Sequence, residues 1–214
     1  GWVTLDTFTG EKVQYNDEIH EYKSVDGKPL LSGSAYKKSF DKPFPKDQIL
    51  PLMEKKYGVP AATIEEMWAA NSEISTTFGT AIHLVMEQWF KHKDHGCGEK
   101  EYHLPKHPIL RLAVDTFPDK DHAVLPELLV SNVAAGMVGR IDGLDVKIKQ
   151  GGDIIDYKSD AEIKKNLAGH FKQLSFYAKI LALSGWSIGK LAVWNYTGDW
   201  EKFESEPLEI TSVS

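Results

Sequence analysis

A chain of 214 residues that is 42% hydrophobic and 26% charged can bury one substantial core but not two large domains. Its formal charge of −6 excludes a broadly basic nucleic-acid-coating protein, so any contact with phosphate has to be local. One cysteine excludes an intramolecular disulfide, and no apolar run reaches membrane-spanning length, which together point to a cytoplasmic protein without a membrane partner. The Gly1-Trp2 start matches no secretory or transit signal, and the absent initiator methionine suggests a trimmed or processed chain.

Along the chain, Gln14 to Leu31 reads as strands around the hairpin signal Val25-Asp26-Gly27-Lys28, after which Ser32-Gly33-Ser34 opens toward a short helix. Pro43, Pro45, Pro51 and Pro60 punctuate the next stretch. Asp47 to Tyr57 and Thr63 to Ala70 read as helices, the second with Thr63 as N-cap and Glu66 at the capping-box position. Trp68, Phe40 and Phe44 could stack on unpaired bases or sit in a core.

Between Thr76 and Lys91 the residues Phe78, Ile82, Val85, Met86, Trp89 and Phe90 recur at helical spacing, while Gly79, His83 and Glu87 form a separate stripe. His83 and Glu87, one turn apart, could reach one ion; a histidine there could equally be a core residue satisfied by a carbonyl. The polar loop that follows holds His92, His95, Cys97, His103 and His107, residue types that suit zinc at spacings that match no familiar finger.

Three strands are expected next, Glu127 to Val133, Met137 to Lys149 and Asp153 to Ser159, with Gly151-Gly152 as the turn between the last two. Period-two alternation puts Arg140, Asp142 and Leu144 on one face, and Asp156 and Lys158 on one face with Tyr157 opposite. Antiparallel pairing would bring Asp142 near Asp156, whereas a turn at Asp142-Gly143 would break that strand. An amphipathic helix from about Lys165 to Leu183 turns Leu174, Ala178 and Leu181 to the core and carries Gln173 and Tyr177 on a polar stripe. That pair could hold a phosphate or a metal-bound water, or pack as a buried tyrosine with a supporting glutamine. Lys190 to Tyr196 is a later strand, and Trp200 to Ile210 an edge hairpin.

These residue types belong to one chemistry. A phosphodiester is anionic and repels hydroxide, so its hydrolysis is helped by a hard cation held on carboxylates and by an ammonium group near the developing charge. An acid on one strand and acid-x-lysine on the next supply both. Asp156 and Lys158 would otherwise read as a surface ion pair.

In order, Gly79-x-x-x-His83-x-x-x-Glu87, Gly139-x-x-Asp142, Asp156-x-Lys158 and Gln173-x-x-x-Tyr177 resemble the PD-(D/E)XK nuclease superfamily, and within it the RecB-like and phage-encoded exonucleases. The resemblance spans about Thr76 to Trp194. It implies an α/β restriction-endonuclease-like core, a central mixed sheet flanked by helices in the order α-β-β-β-α-β. It also implies that His83, Asp142, Asp156 and the Tyr157 carbonyl ligate Mg²⁺ or Mn²⁺, with Glu87 serving the site or a second ion. Lys158 would then be the catalytic lysine, and Gln173 and Tyr177 would position water or DNA. In phage RecB-like nucleases a similar leader precedes the histidine helix. Residues 1–75 are therefore expected as an extension of hairpin and short helices packed on a nuclease core of 76–214, the whole forming a single compact domain.

With one cysteine, no four-cysteine iron–sulfur cluster can be built in a single copy, and no Walker motif is present, so any helicase or recombination partner would be another chain. Lys37-Lys38, Lys55-Lys56, Lys91 with Lys93, and Lys164-Lys165 with Lys172 could track a strand or be solvated surface, giving modest, salt-sensitive affinity for DNA ends, single- or double-stranded. Three rivals to an exonuclease remain: a structure-selective endonuclease on the same core, a non-catalytic nucleic-acid-binding subunit, and a hydrolase of small phosphate esters.

Overall fold

The structure is a computed structural model that describes residues 1–93, 105–147 and 151–210. It is a mixed α/β protein whose central mixed sheet is flanked by helices. A meander of β1 (Trp2–Asp6), β2 (Lys12–Asn16), β3 (Glu21–Ser24) and β4 (Pro29–Ser32) comes first. Gly27, at φ 87°, makes the reversal between β3 and β4 that the Asp26-Gly27 signal predicts. Then follow α1 (Gly33–Lys38), α2 (Lys46–Tyr57), α3 (Ala61–His92) and α4 (Pro108–Thr116). The second half holds β5 (Val124–Asn132), β6 (Met137–Lys147), β7 (Gly151–Lys158), α5 (Ile163–Leu183), β8 (Ile188–Tyr196) and β9 (Trp200–Ser205).

β5 to β7 form the expected antiparallel meander, α5 crosses over, and β8 returns parallel to β7. One sheet face buries Ile141, Leu144, Ile154, Leu191 and Val193 under Leu174, Phe176, Ile180 and Leu181 of α5. The opposite face buries Ile155, Tyr157, Ala192, Trp194 and Tyr196 under Ile82, Met86 and Phe90 of α3 and Ala113, Val114 and Phe117 beside them. The near-continuous apolar run of β8 follows from its burial on both sides.

The sheet divides along one edge of β6. β5 pairs with β6 on one side, from Asn132↔Met137 to Val124↔Asp145. On the other side β4 runs parallel to β6 at Leu31↔Met137 and Ser32↔Val138, whereas β7 pairs only from Gly143↔Ile155 onward. Gly139 to Asp142 thus lie between two partners, at a fork. Tyr177 of α5 plugs it: a Cβ built on Gly33 or on Gly139 would fall 2.2 Å from Tyr177 Cε1. Gly139→Ala is expected to cost about 1–3 kcal/mol by overpacking. Chemical denaturation of Gly139→Ala alone and with Tyr177→Ala checks this: the tyrosine truncation should make the alanine cheaper, and an equal cost in both backgrounds would contradict the plug.

Several sequence expectations need correction. Thr63–Ala70 and Thr76–Lys91 are not two helices but parts of the single 32-residue α3. The Asn/Ser/Thr-rich stretch 71–77 contains weak helix formers but no glycine or proline to stop propagation. Thr63 and Glu66 form no cap, because the helix starts two residues earlier behind Pro60 and no side chain caps it. Gly151-Gly152 is not the turn: both already pair in β7, against Lys147 and Val146. Residues 148–150, between those strands, lie outside the described ones. Trp200 to Ile210 is no edge hairpin; β9 is a single strand antiparallel to β8, and no strand continues through Pro207, which lacks the N–H a ladder needs. β1 was not foreseen. No helix among the described residues is long and apolar enough to cross a membrane.

Candidate active site

At the fork three elements deliver polar groups to one place. α3 brings His83, because Gly79 one turn earlier lets the helix approach the end of β7; a Cβ there would meet Ser159 Oγ at 3.3 Å. β6 runs straight through Asp142-Gly143, so Asp142 stays in a strand. β7 presents Asp156 and Lys158 on one face and sends Tyr157 to the other, where it packs edge-on to Phe117.

His83 Nε2 lies 2.6 Å from Asp142 Oδ1, and His83 Nδ1 lies 3.1 Å from Glu127 Oε1. Asp142 Oδ2 accepts a hydrogen bond from the Tyr157 amide at 3.0 Å. Lys158 Nζ lies 3.3 Å from Asp156 Oδ2. Gln173 donates to the Tyr177 hydroxyl at 2.9 Å, so the buried-tyrosine reading describes their contact in this structure. Glu87 lines the same cleft as His83, with Thr76, Glu127, Lys158 and Asp160 among the other walls.

Glu127 was not foreseen as a site residue. Its backbone sits at φ 51°, a left-handed conformation unusual for glutamate, in the middle of β5. The flanking pairs Pro126↔Gly143 and Leu128↔Ile141 place Glu127 level with Asp142, and Gly143↔Ile155 places Asp142 level with Asp156. Three acids therefore lie in a row across three strands. The signal in the sequence was the reversal ending at Gly136, which fixes the β5–β6 register once both strands are drawn to full length.

The protonation states follow from that crowding. Burial would lower His83, but the hydrogen bonds and charges of Asp142 and Glu127 overcome it and push the imidazole up to about 10. Burial would raise Asp142, yet His83 and a hydrogen bond with Asp156 hold it below its usual value. Asp156 is pushed up to about 7, mainly by burial and then by the Asp142 charge, against the pull of Lys158. The Asp156 charge raises Lys158 despite its burial. Glu127 Oε1 and Asp156 Oδ2 are buried, the first facing His83 and the second Lys158. The site thus gathers three carboxyl groups, an imidazole and an ammonium group. Oxygen donors with one imidazole fit a hard divalent cation, and His83, Glu127 and Asp142 each offer an atom within 4.8 Å of the others.

Beside the site, His170 of α5 accepts from Lys37 Nζ at Nδ1, 3.0 Å away, and its Nε2 is buried without a hydrogen bond. Burial, then the Lys158 charge, lowers His170 to about 4. The unfolded chain takes up this proton near 6.5 and the folded one resists it, so stability is full above that pH and declines from 6.5 toward 4. Urea midpoints at pH 7.5 and pH 5 should differ less in His170→Asn than in the parent protein; the same difference in both would contradict this.

A second group, Asp119, His122 and Asp145, lies toward the far end of β6. His122 sits between the two acids, 2.7 Å from Asp145 and 3.7 Å from Asp119, so its ring already fills the centre. Of the loop read as a zinc candidate, His107 caps α4 by accepting from the Ile109 amide and His92 contacts Gln88. His95, Cys97 and His103 lie outside the described residues.

The sequence model of the PD-(D/E)XK nuclease superfamily matches residues 103–210, half of the chain, and the chain belongs to that superfamily. The match includes Asp142, Asp156 and Lys158. No curated protein matches it. Among solved structures, the crystal structure of SSO0001 is similar with a TM-score of 0.36 and 14% sequence identity, over 84% of this chain and 68% of that one.

Proposed function

We propose that the protein is a divalent-metal-dependent deoxyribonuclease of the RecB-like, phage-encoded kind, acting as an exonuclease on DNA ends in recombination, repair or phage replication. One observation carries the reading: His83 from α3, Asp142 from β6 and Asp156 from β7 gather at the fork with Lys158 alongside. His83, Asp142, Asp156 and the Tyr157 carbonyl would hold Mg²⁺ or Mn²⁺, with Glu127 as a further carboxylate and Glu87 available to a second ion. The bound ion supplies Lewis-acid activation of the phosphodiester and a deprotonated water at neutral pH.

The chain's own groups do the rest. Lys158 keeps its ammonium charged beside Asp156, placed to stabilise negative charge building on the phosphate. The Tyr157 amide fixes the orientation of Asp142, and the aromatic packing of Tyr157 behind β7 holds that strand end still. Gln173 fixes Tyr177, whose ring backs the fork from the α5 side.

The test is a set of end-labelled linear and covalently closed circular substrates, single- and double-stranded, with Mg²⁺, Mn²⁺ or chelator. Metal-dependent shortening of linear DNA with circles left intact is expected. Cut circles would make it an endonuclease, binding without turnover a non-catalytic subunit, and hydrolysis of small phosphate esters alone would overturn the nucleic-acid reading.

A further inference from the structure

The charge of −6 leaves open how this chain would hold a polyanion, and α1 with α5 supplies a local answer. α1 lies directly on α5: a Cβ on Gly169 would come 3.4 Å from Lys37 Cε, and Tyr36 stacks on Phe176 with ring centroids 5.0 Å apart. Just past α1, Phe40 meets Tyr36 edge-on at 5.1 Å and leaves 41% of its surface exposed. Lys172 of α5 holds its ammonium 4.3 Å from the centre of that ring. Two residues before Lys172 on α5, His170 bonds to Lys37, and both feel the charges of Asp156 and Lys158. Lys38, Lys164 and Lys165 belong to the same two helices. The acids nearby are few: Asp41 follows Phe40, Glu162 is paired with Lys165 at 3.6 Å, and Asp160 borders the site.

We infer that Phe40, Lys172 and Lys37 form a track that leads one unpaired nucleic-acid strand to the Asp156–Lys158 end of the fork, Phe40 stacking a base and the two lysines contacting its flanking phosphates. This rests on the nuclease reading above and adds the form of substrate and the path it takes. An unpaired strand is required because bases inside a duplex are already stacked on both faces. The Lys172 contact does not block the ring: a base stack outweighs an exposed cation–π contact, so an arriving base displaces the ammonium toward the neighbouring phosphate. His170 Nε2, buried at the inner end without a hydrogen bond, marks where that track meets the site.

Fluorescence anisotropy with a labelled oligothymidylate and with a hairpin duplex, in chelator to prevent hydrolysis and across a salt series, tests the track. Phe40→Leu, which keeps the apolar contact with Tyr36 but removes the π face, should bind the single strand about tenfold more weakly, the scale of losing one base stack, with duplex binding little changed. Lys172→Ala should flatten the dependence of log affinity on log salt by about 0.7. Lys190→Ala, on β8 and paired with Glu204, serves as the control and should leave both unchanged. Unaltered single-strand affinity in Phe40→Leu, an unchanged slope in Lys172→Ala, or no strand binding by the parent protein each overturns the track. Cleavage by the parent protein in Mn²⁺ is read separately: turnover alongside a normal Phe40→Leu sinks the track alone, whereas strand binding without turnover sinks the nuclease reading alone.

Discussion

Lys158→Ala is expected to slow metal-dependent DNA cleavage by about 10²- to 10³-fold, the scale at which one preorganised charge-stabilising group is missed. The side chain is half-buried and 3.3 Å from Asp156, so its charge is only partly screened by water. It is one cation among several near the cleft, so strand binding in chelator should fall far less than the rate. Single-turnover rates beside binding curves separate the two effects. Arginine at this position should not restore the rate, because its planar fork cannot take the place of a compact ammonium against Asp156. A Lys158→Ala protein cutting within tenfold of the parent would remove the lysine from the chemistry.

The second large effect concerns the ion. With Mn²⁺ at a hundredfold excess over its dissociation constant, binding to the folded state alone adds about 2.7 kcal/mol. For a domain of this size that corresponds to a rise in melting temperature of roughly 5–10 °C. Asp142→Asn should abolish the rise, since it removes the carboxylate that His83 and the Tyr157 amide both hold in place. The effect should also depend on pH with a definite sign. The ion needs His83 and Asp156 deprotonated, and their values near 10 and 7 mean that protons must leave, so stabilisation grows as pH rises from 6 to 8 and fades in acid. Melting curves with and without Mn²⁺ at those pH values check both statements. A full shift in Asp142→Asn would place the ion elsewhere.

The second half of the fold was legible because its signals are local and agree with one another. Alternation in β7, the both-faces-buried run of β8 and the apolar stripe of α5 each point one way, and together they order the meander. Asp142, Asp156, Lys158 and His83 could be nominated because their spacing on those elements is short-range. α3 was cut in two because Ser72, Ser75, Thr76 and Thr77 read as a linker, although weak propensity without a breaker does not end a helix whose two halves both pack. Glu127 was missed for a different reason. Its role depends on register across two strand pairs and on a left-handed backbone, neither of which hydrophobic pattern encodes. The parallel docking of β4 on β6 rests on two residue pairs far apart in sequence, and nothing local announces it.

That docking bears on how much chain a working site needs. One prong of the fork is β4, α1 continues directly from it, and the tyrosine plug seats against glycines far apart in the polypeptide, Gly33 and Gly139. The stretch bearing the superfamily signature, 103–210, starts beyond both this prong and His83. Cut out by itself, that stretch would keep three acids, Glu127, Asp142 and Asp156, and the ammonium group yet forfeit the imidazole and one entire wall. The site proposed above is therefore assembled from both halves of the chain, and the recognisable portion supplies only part of it.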